Sequence, residues 1–129
     1  MATIEIIYKN GNALTIEATD DTASVEKGML TYIGKNGISR DGITGLLTNH
    51  MESVKINGEE QKLFDYETAI DETVEDIIYH TADMAEEDIT DMHLNLWTSD
   101  LIYNRYGDDL CIDARNHIVK NAIKQYKAL

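Results

Sequence analysis

The sequence predicts an α+β fold: two N-terminal β-hairpins with an intervening helix, then a helical C-terminal half. Three observations predict it. Asn-Gly pairs separate runs in which apolar and polar residues alternate, which is the mark of hairpins. In the second half, apolar residues instead recur at the 3.6-residue period of a helix. The chain has 129 residues and no proline, so its turns must come from Gly and Asn.

Each element follows in order. Asn10-Gly11 is flanked by Thr3–Tyr8 and Ala13–Thr19, in which Ile4, Ile6 and Tyr8 alternate, as do Leu14, Ile16 and Ala18. This predicts a hairpin with one buried face and a type I′ turn, whose twist matches paired strands. Asp21 or Thr22 then caps an expected helix over 23–33, with Val25, Met29, Leu30 and Ile33 on one face. Gly28 inside it costs about 1 kcal/mol relative to Ala. A tight hairpin followed by a helix resembles the opening of a β-grasp domain in element order. Residues 34–50, with Gly34, Gly37, Gly42 and Gly45, read as loop or short turns, including an Asn36-Gly37 turn. Asn57-Gly58 joins Ser53–Ile56 to Glu59–Phe64 in a second, more polar hairpin.

The clearest helix is expected over about 67–87. Ile70, Val74, Ile77, Ile78, Thr81, Ala82 and Ala85 form its apolar stripe. Its acid-rich start suits the positive end of the helix dipole. Residues 89–106 are ambiguous. Met92, Leu94 and Leu96 alternate like a strand, yet Ile89, Met92, Leu96 and Trp97 also fit a helix face. A last helix is expected over about 111–128, with Ile112, Val119, Ala122, Ile123 and Tyr126 on its apolar side and Lys120, Lys124 and Lys127 towards its end.

Length and a 43% hydrophobic content predict one domain, 1–129, with one core. No apolar run reaches the roughly 18 residues of a membrane span. Met1–Asn10 already alternates and lacks the basic and apolar regions of a signal peptide. The single cysteine, Cys111, excludes an internal disulfide and suits a reducing, cytoplasmic setting.

Charge is the outlier. The net charge of −13 divides into −3 over residues 1–64, −13 over 65–109 and +3 over 110–129. Arg105 is the one base in the middle block. Such a chain is repelled by nucleic acid and by anionic membranes, so basic protein surfaces are its expected partners. Glu72, Glu75, Asp76, Asp83, Glu86 and Glu87, with Tyr79 in line, lie opposite the apolar stripe. Counting Asp71 and Asp88, eight carboxylates would span about 26 Å of helix, or one charge per about 3.2 Å. One strand of duplex DNA carries one per about 3.4 Å. Like charges at this spacing repel, so the block costs the fold a few tenths of a kcal/mol per pair. It reads either as a solvated face or as a surface that imitates nucleic acid.

Catalytic patterns are missing. There is no Gly-x-Ser-x-Gly, phosphate loop or His-Glu-x-x-His motif. His80 and Asp83 share a helix face, but His50, His80, His93 and His117 have no metal-ligand spacing, and no metal or cofactor is expected. Cys111, at a helix start beside apolar neighbours, reads as a small packed residue rather than a nucleophile. Trp97, Tyr103 and Tyr106 cluster around Arg105. Tyr103, Arg105, Tyr106 and Arg115 are therefore a candidate pocket for a nucleotide-like ligand, with Trp97 assigned to the core. The expected function is a non-enzymatic inhibitor whose acidic face blocks a basic, nucleic-acid-handling partner, as viral counter-defence proteins do. The alternatives are an immunity- or antitoxin-type inhibitor of one basic toxin, and a nucleotide-binding protein. A homodimer is a further expectation.

Overall fold

A computed structural model describes residues 2–19, 22–34 and 43–129. The chain is α+β, with strands first and helices after. Its contacts gather into two compact units, Met1–Phe64 and Asp65–Leu129.

In the first unit the described residues form strands β1 (Ala2–Tyr8), β2 (Ala13–Ala18), β3 (Ser24–Glu26), β4 (Met29–Ile33), β5 (Ile43–Leu47), β6 (Met51–Ile56) and β7 (Glu59–Glu60). They make two antiparallel sheets, β2-β1-β6-β7 and β3-β4-β5. The period-2 alternation of β1 buries Ala2, Ile4 and Ile6 and turns Thr3, Glu5 and Ile7 outward. These pack with Ala18, Leu30, Met51 and Val54 into one core. A bridge between Ala18 and Gly34, with Thr19 N donating to Ile33 O at 2.9 Å, ties the end of β2 to the end of β4.

Both expected hairpins form, with different turns, and the returning strand of the second is Glu59–Glu60 rather than the whole of Glu59–Phe64. At Asn57-Gly58 both residues have positive φ, 52° and 81°, as a type I′ turn requires. The first hairpin closes differently. Gly11 has φ 90° and its N–H donates to Tyr8 O, while Asn10 is not left-handed. That is a type I turn followed by a left-handed glycine.

The helix expected over 23–33 is instead the β3–β4 hairpin. Lys27 and Gly28 have φ of 55° and 79° and form its two-residue turn, with Glu26 opposite Met29. The glycine that would weaken a helix is the residue that makes this turn, and the β-grasp-like order lapses with the helix. Thr48, buried, secures the turn by donating N–H and Oγ1 to Gly28 O at 3.1 and 3.3 Å. Part of the segment read as loop over 34–50 is also strand, since Ile43–Leu47 pairs with β4. The Asn36-Gly37 turn and the Asp21 cap lie outside the described residues.

The second unit holds helices α1 (Tyr66–Thr81), α2 (Asp91–Tyr106) and α3 (Ile112–Lys127), with short 3-10 turns at Glu86–Asp88 and Gly107–Asp109. Each helix start has a side-chain cap. Asp65 accepts from Thr68 N, Thr90 from His93 N, and Cys111 Sγ from Ala114 N. α3 packs against both other helices and buries Ala114, Ile118, Val119, Ala122 and Ile123. Tyr126 OH donates to Thr81 Oγ1, linking the end of α3 to the end of α1.

Three sequence expectations change here. The acidic helix stops at Thr81 rather than near residue 87: residues 82–84 form a turn and Ala85 is extended at ψ 142°. Its buried face is Tyr66, Ala69, Ile70, Thr73, Ile77 and Thr81, leaving Ile78, Ala82 and Ala85 outside. Residues 91–106 are helix, and neither expected apolar face is the buried one. Leu94, Thr98 and Ile102 point inward at four-residue spacing, while Met92 and Leu96 are 73% and 67% exposed. Among the described residues no helix is long and apolar enough to cross a membrane.

Candidate functional site

The acidic surface is built on α1. Glu72, Glu75 and Tyr79, at i, i+3 and i+7, form one outward row. Tyr79 is 88% exposed, so a large, half-apolar ring stands in water with carboxylates beside it. Asp83, also exposed, lies in the turn after the helix, and Glu86 and Glu87 lie exposed in the 3-10 turn beyond. The eight carboxylates therefore do not ride one rod. Asp71, Glu72, Glu75 and Asp76 belong to α1, whose regular rise ends at Thr81, before Asp83, Glu86, Glu87 and Asp88. The even spacing computed for a continuous helix does not hold.

Asp76 is engaged within the chain. Its Oδ2 accepts from Arg105 Nη2 at 2.5 Å. This bond raises the Arg105 pKa above its usual range. The Tyr106 phenol is raised mainly by burial, and Glu72 adds to the shift while Arg105 opposes it. The lone base of the acidic block thus neutralises one member of the acidic face.

The expected four-residue pocket divides. Arg105 and Tyr106 belong with Asp76 and Glu72 of α1. Tyr103 and Arg115 meet elsewhere, between α2 and α3, with the guanidinium 5.2 Å from the ring centroid in a cation–π contact. They line a cavity of about 390 Å³ with Leu96, Ser99, Ile112 and Val119. A second cleft of about 630 Å³ shares Ser99, Asn116 and Val119 with it and runs on past Lys120, Lys124 and Lys127. Arg115 Nη1 is buried and has no hydrogen-bond partner among the described residues.

The histidines hold a pairing that sequence spacing does not show. His80 lies against His93 rather than Asp83. Their Nε2 atoms are 2.9 Å apart, with the rings 11° from parallel and their centroids at 5.2 Å. The rings thus lie nearly in one plane, nitrogen towards nitrogen, as a shared proton requires. His80 also stacks on Trp97 at 3.9 Å and 7°, so Trp97 is half-buried against an imidazole rather than enclosed in the core. Burial, and then the like charge of His93, hold the His80 pKa below its ordinary value. No group of three metal-ligating side chains occurs among the described residues. Cys111, half-buried, serves as the cap of α3. No protein-family model, curated protein or solved structure matches the chain.

Proposed function

We propose that this protein is a non-enzymatic binding module whose acidic α1 face occludes a basic, nucleic-acid-handling surface on a partner. One observation carries the reading: Tyr79 is 88% exposed in a row with the exposed carboxylates of Glu72 and Glu75. Tyrosine is enriched among residues that dominate interface energetics, because it buries a large ring at low entropic cost. Carboxylates around such a ring set the sign of the partner and speed encounter. Asp76 contributes less than its neighbours, since Arg105 already holds it.

The test is a pull-down in which the wild type runs beside Tyr79→Ala and the double variant Glu72→Gln/Glu75→Gln. The expected result is a basic protein captured by the wild type, lost with both variants, released by salt and displaced by duplex DNA. Capture that is equal in all three proteins would overturn the reading. A single tight partner lost with the variants but indifferent to DNA identifies an inhibitor of one toxin instead.

The meeting of Tyr103 and Arg115 favours a second reading, binding of a nucleotide-like anion between α2 and α3. A thermal-shift panel of nucleotides addresses it. A ligand at 100 times its Kd stabilises by about 2.7 kcal/mol, and an unshifted panel removes the reading.

A further inference from the structure

We infer that the face formed by α2 and α3 is a homodimer interface, on which a second copy of the chain lays its α2 along α3 about a two-fold axis parallel to the helices. Apolar exposure comes first. Met92, Leu96 and Tyr103 are 73%, 67% and 59% exposed at i, i+4 and i+11 of α2, which places them on one side of the helix. Ile112 of α3, 66% exposed, lines the same cavity as Leu96 and Tyr103. Single exposed apolar residues are ordinary, whereas a contiguous set on one face marks an interaction surface.

Direction and charge select the occupant. Tyr103 meets Arg115 at one end of the helix pair and Asp91 pairs with Lys127 at the other, so α2 and α3 run antiparallel. Asp100 on α2 borders the cavity, while Lys120 and Lys124 on α3 border the adjoining cleft. A two-fold axis along the helices sets α2 of each copy over α3 of the other. Acid then meets base twice, as an isologous contact requires. An axis across the helices would set α2 on α2 and bring the two Asp100 side chains together. A foreign acidic helix would satisfy the lysines and leave Asp100 facing like charge. The face is thus complementary to itself, and two such pairs make a four-helix bundle.

Sedimentation velocity of the full chain, from micromolar to millimolar concentration, tests the inference. The wild type is expected to pass from one to two chain masses as concentration rises. Leu96→Glu buries an unpaired charge at the centre and raises the dimer Kd by more than about tenfold. Unchanged helicity by circular dichroism shows that this variant still folds. Asp100→Lys weakens the dimer, and adding Lys120→Glu restores it. A wild type that stays monomeric throughout overturns the inference, as does a dimer that Leu96→Glu leaves intact. A monomer that binds a foreign helical peptide through Leu96 would assign the face to that partner instead. The acidic α1 variants Tyr79→Ala and Glu72→Gln/Glu75→Gln are expected to dimerise as the wild type does.

Discussion

His80 shows how one side chain joins several groups. It stacks on Trp97, meets His93 nitrogen to nitrogen, and has its pKa lowered by burial and by that neighbour. A histidine with a depressed pKa binds its proton more weakly when folded than when unfolded. Its contribution is therefore full above the unfolded value of about 6.5 and is lost as pH falls from there through the folded value. The melting temperature is expected to drop on acidification across that window. Trp97, the only tryptophan, should change its fluorescence with a midpoint below about 6.5. His93→Phe removes the like charge and should move the midpoint upward. A midpoint indifferent to His93 would separate the two rings. Thr98 is the opposite case, because its hydroxyl is fully buried with no partner among the described residues. An unpaired buried hydroxyl costs about 1–3 kcal/mol. Thr98→Val keeps the shape, so urea unfolding should show it neutral to about 1 kcal/mol more stable than the wild type.

Elements turn on which residue takes a special conformation and which face finds a neighbour. Gly28 makes the first point. Were residues 23–33 a helix, Gly28→Ala would stabilise by about 1 kcal/mol. In the observed hairpin Gly28 has φ 79°, so the same change should destabilise by about 1–2 kcal/mol. The sign alone tells hairpin from helix in a denaturation experiment. α2 makes the second point. Ile102 is fully buried and Met92 mostly exposed, although both are large and apolar. Ile102→Ala should cost about 2–5 kcal/mol. Met92→Ala, measured at a concentration where the chain is monomeric, should lie within about 0.5 kcal/mol of the wild type. The period of a helix is legible in residues 91–106, but two apolar sets compete there. Packing of α2 against the other helices decides between them by burying Leu94, Thr98 and Ile102.

The whole molecule carries a charge of −13, most of it between residues 65 and 109. Among the described residues Arg105–Asp76 is an ion pair within that block and Lys127–Asp91 one that joins it to the C-terminal segment, and both are partly exposed. Pairs of this kind stabilise by at most about 1 kcal/mol, so repulsion among the remaining acids dominates. Raising ionic strength from about 0.01 M to about 1 M shortens the screening length from about 30 Å to about 3 Å. The melting temperature should therefore rise with sodium chloride. A fall would mean that the ion pairs outweigh the repulsion. The same screening should weaken capture of a basic partner, so stability and partner binding are expected to respond to salt with opposite signs.

What the sequence determined by itself is local. Alternation in Thr3–Tyr8, the Asn57-Gly58 pair and the spacing of Val119, Ala122 and Ile123 each act over a few residues, and each appears where expected, whereas Ile112, expected on that same apolar side, is exposed. The block distribution of charge likewise needs no coordinates. What only the tertiary structure decided is non-local. Val25, Met29, Leu30 and Ile33 suit a helix face as well as two short strands, and pairing with Ile43–Leu47 resolves them as sheet. Asp76 and Arg105 are 29 positions apart, and His80 and His93 are 13 apart on different helices. No periodicity within one segment relates such residues. Their partners, and the side of α2 that stays open, follow from how α1, α2 and α3 pack, because burial is a property of neighbouring elements rather than of a window of sequence.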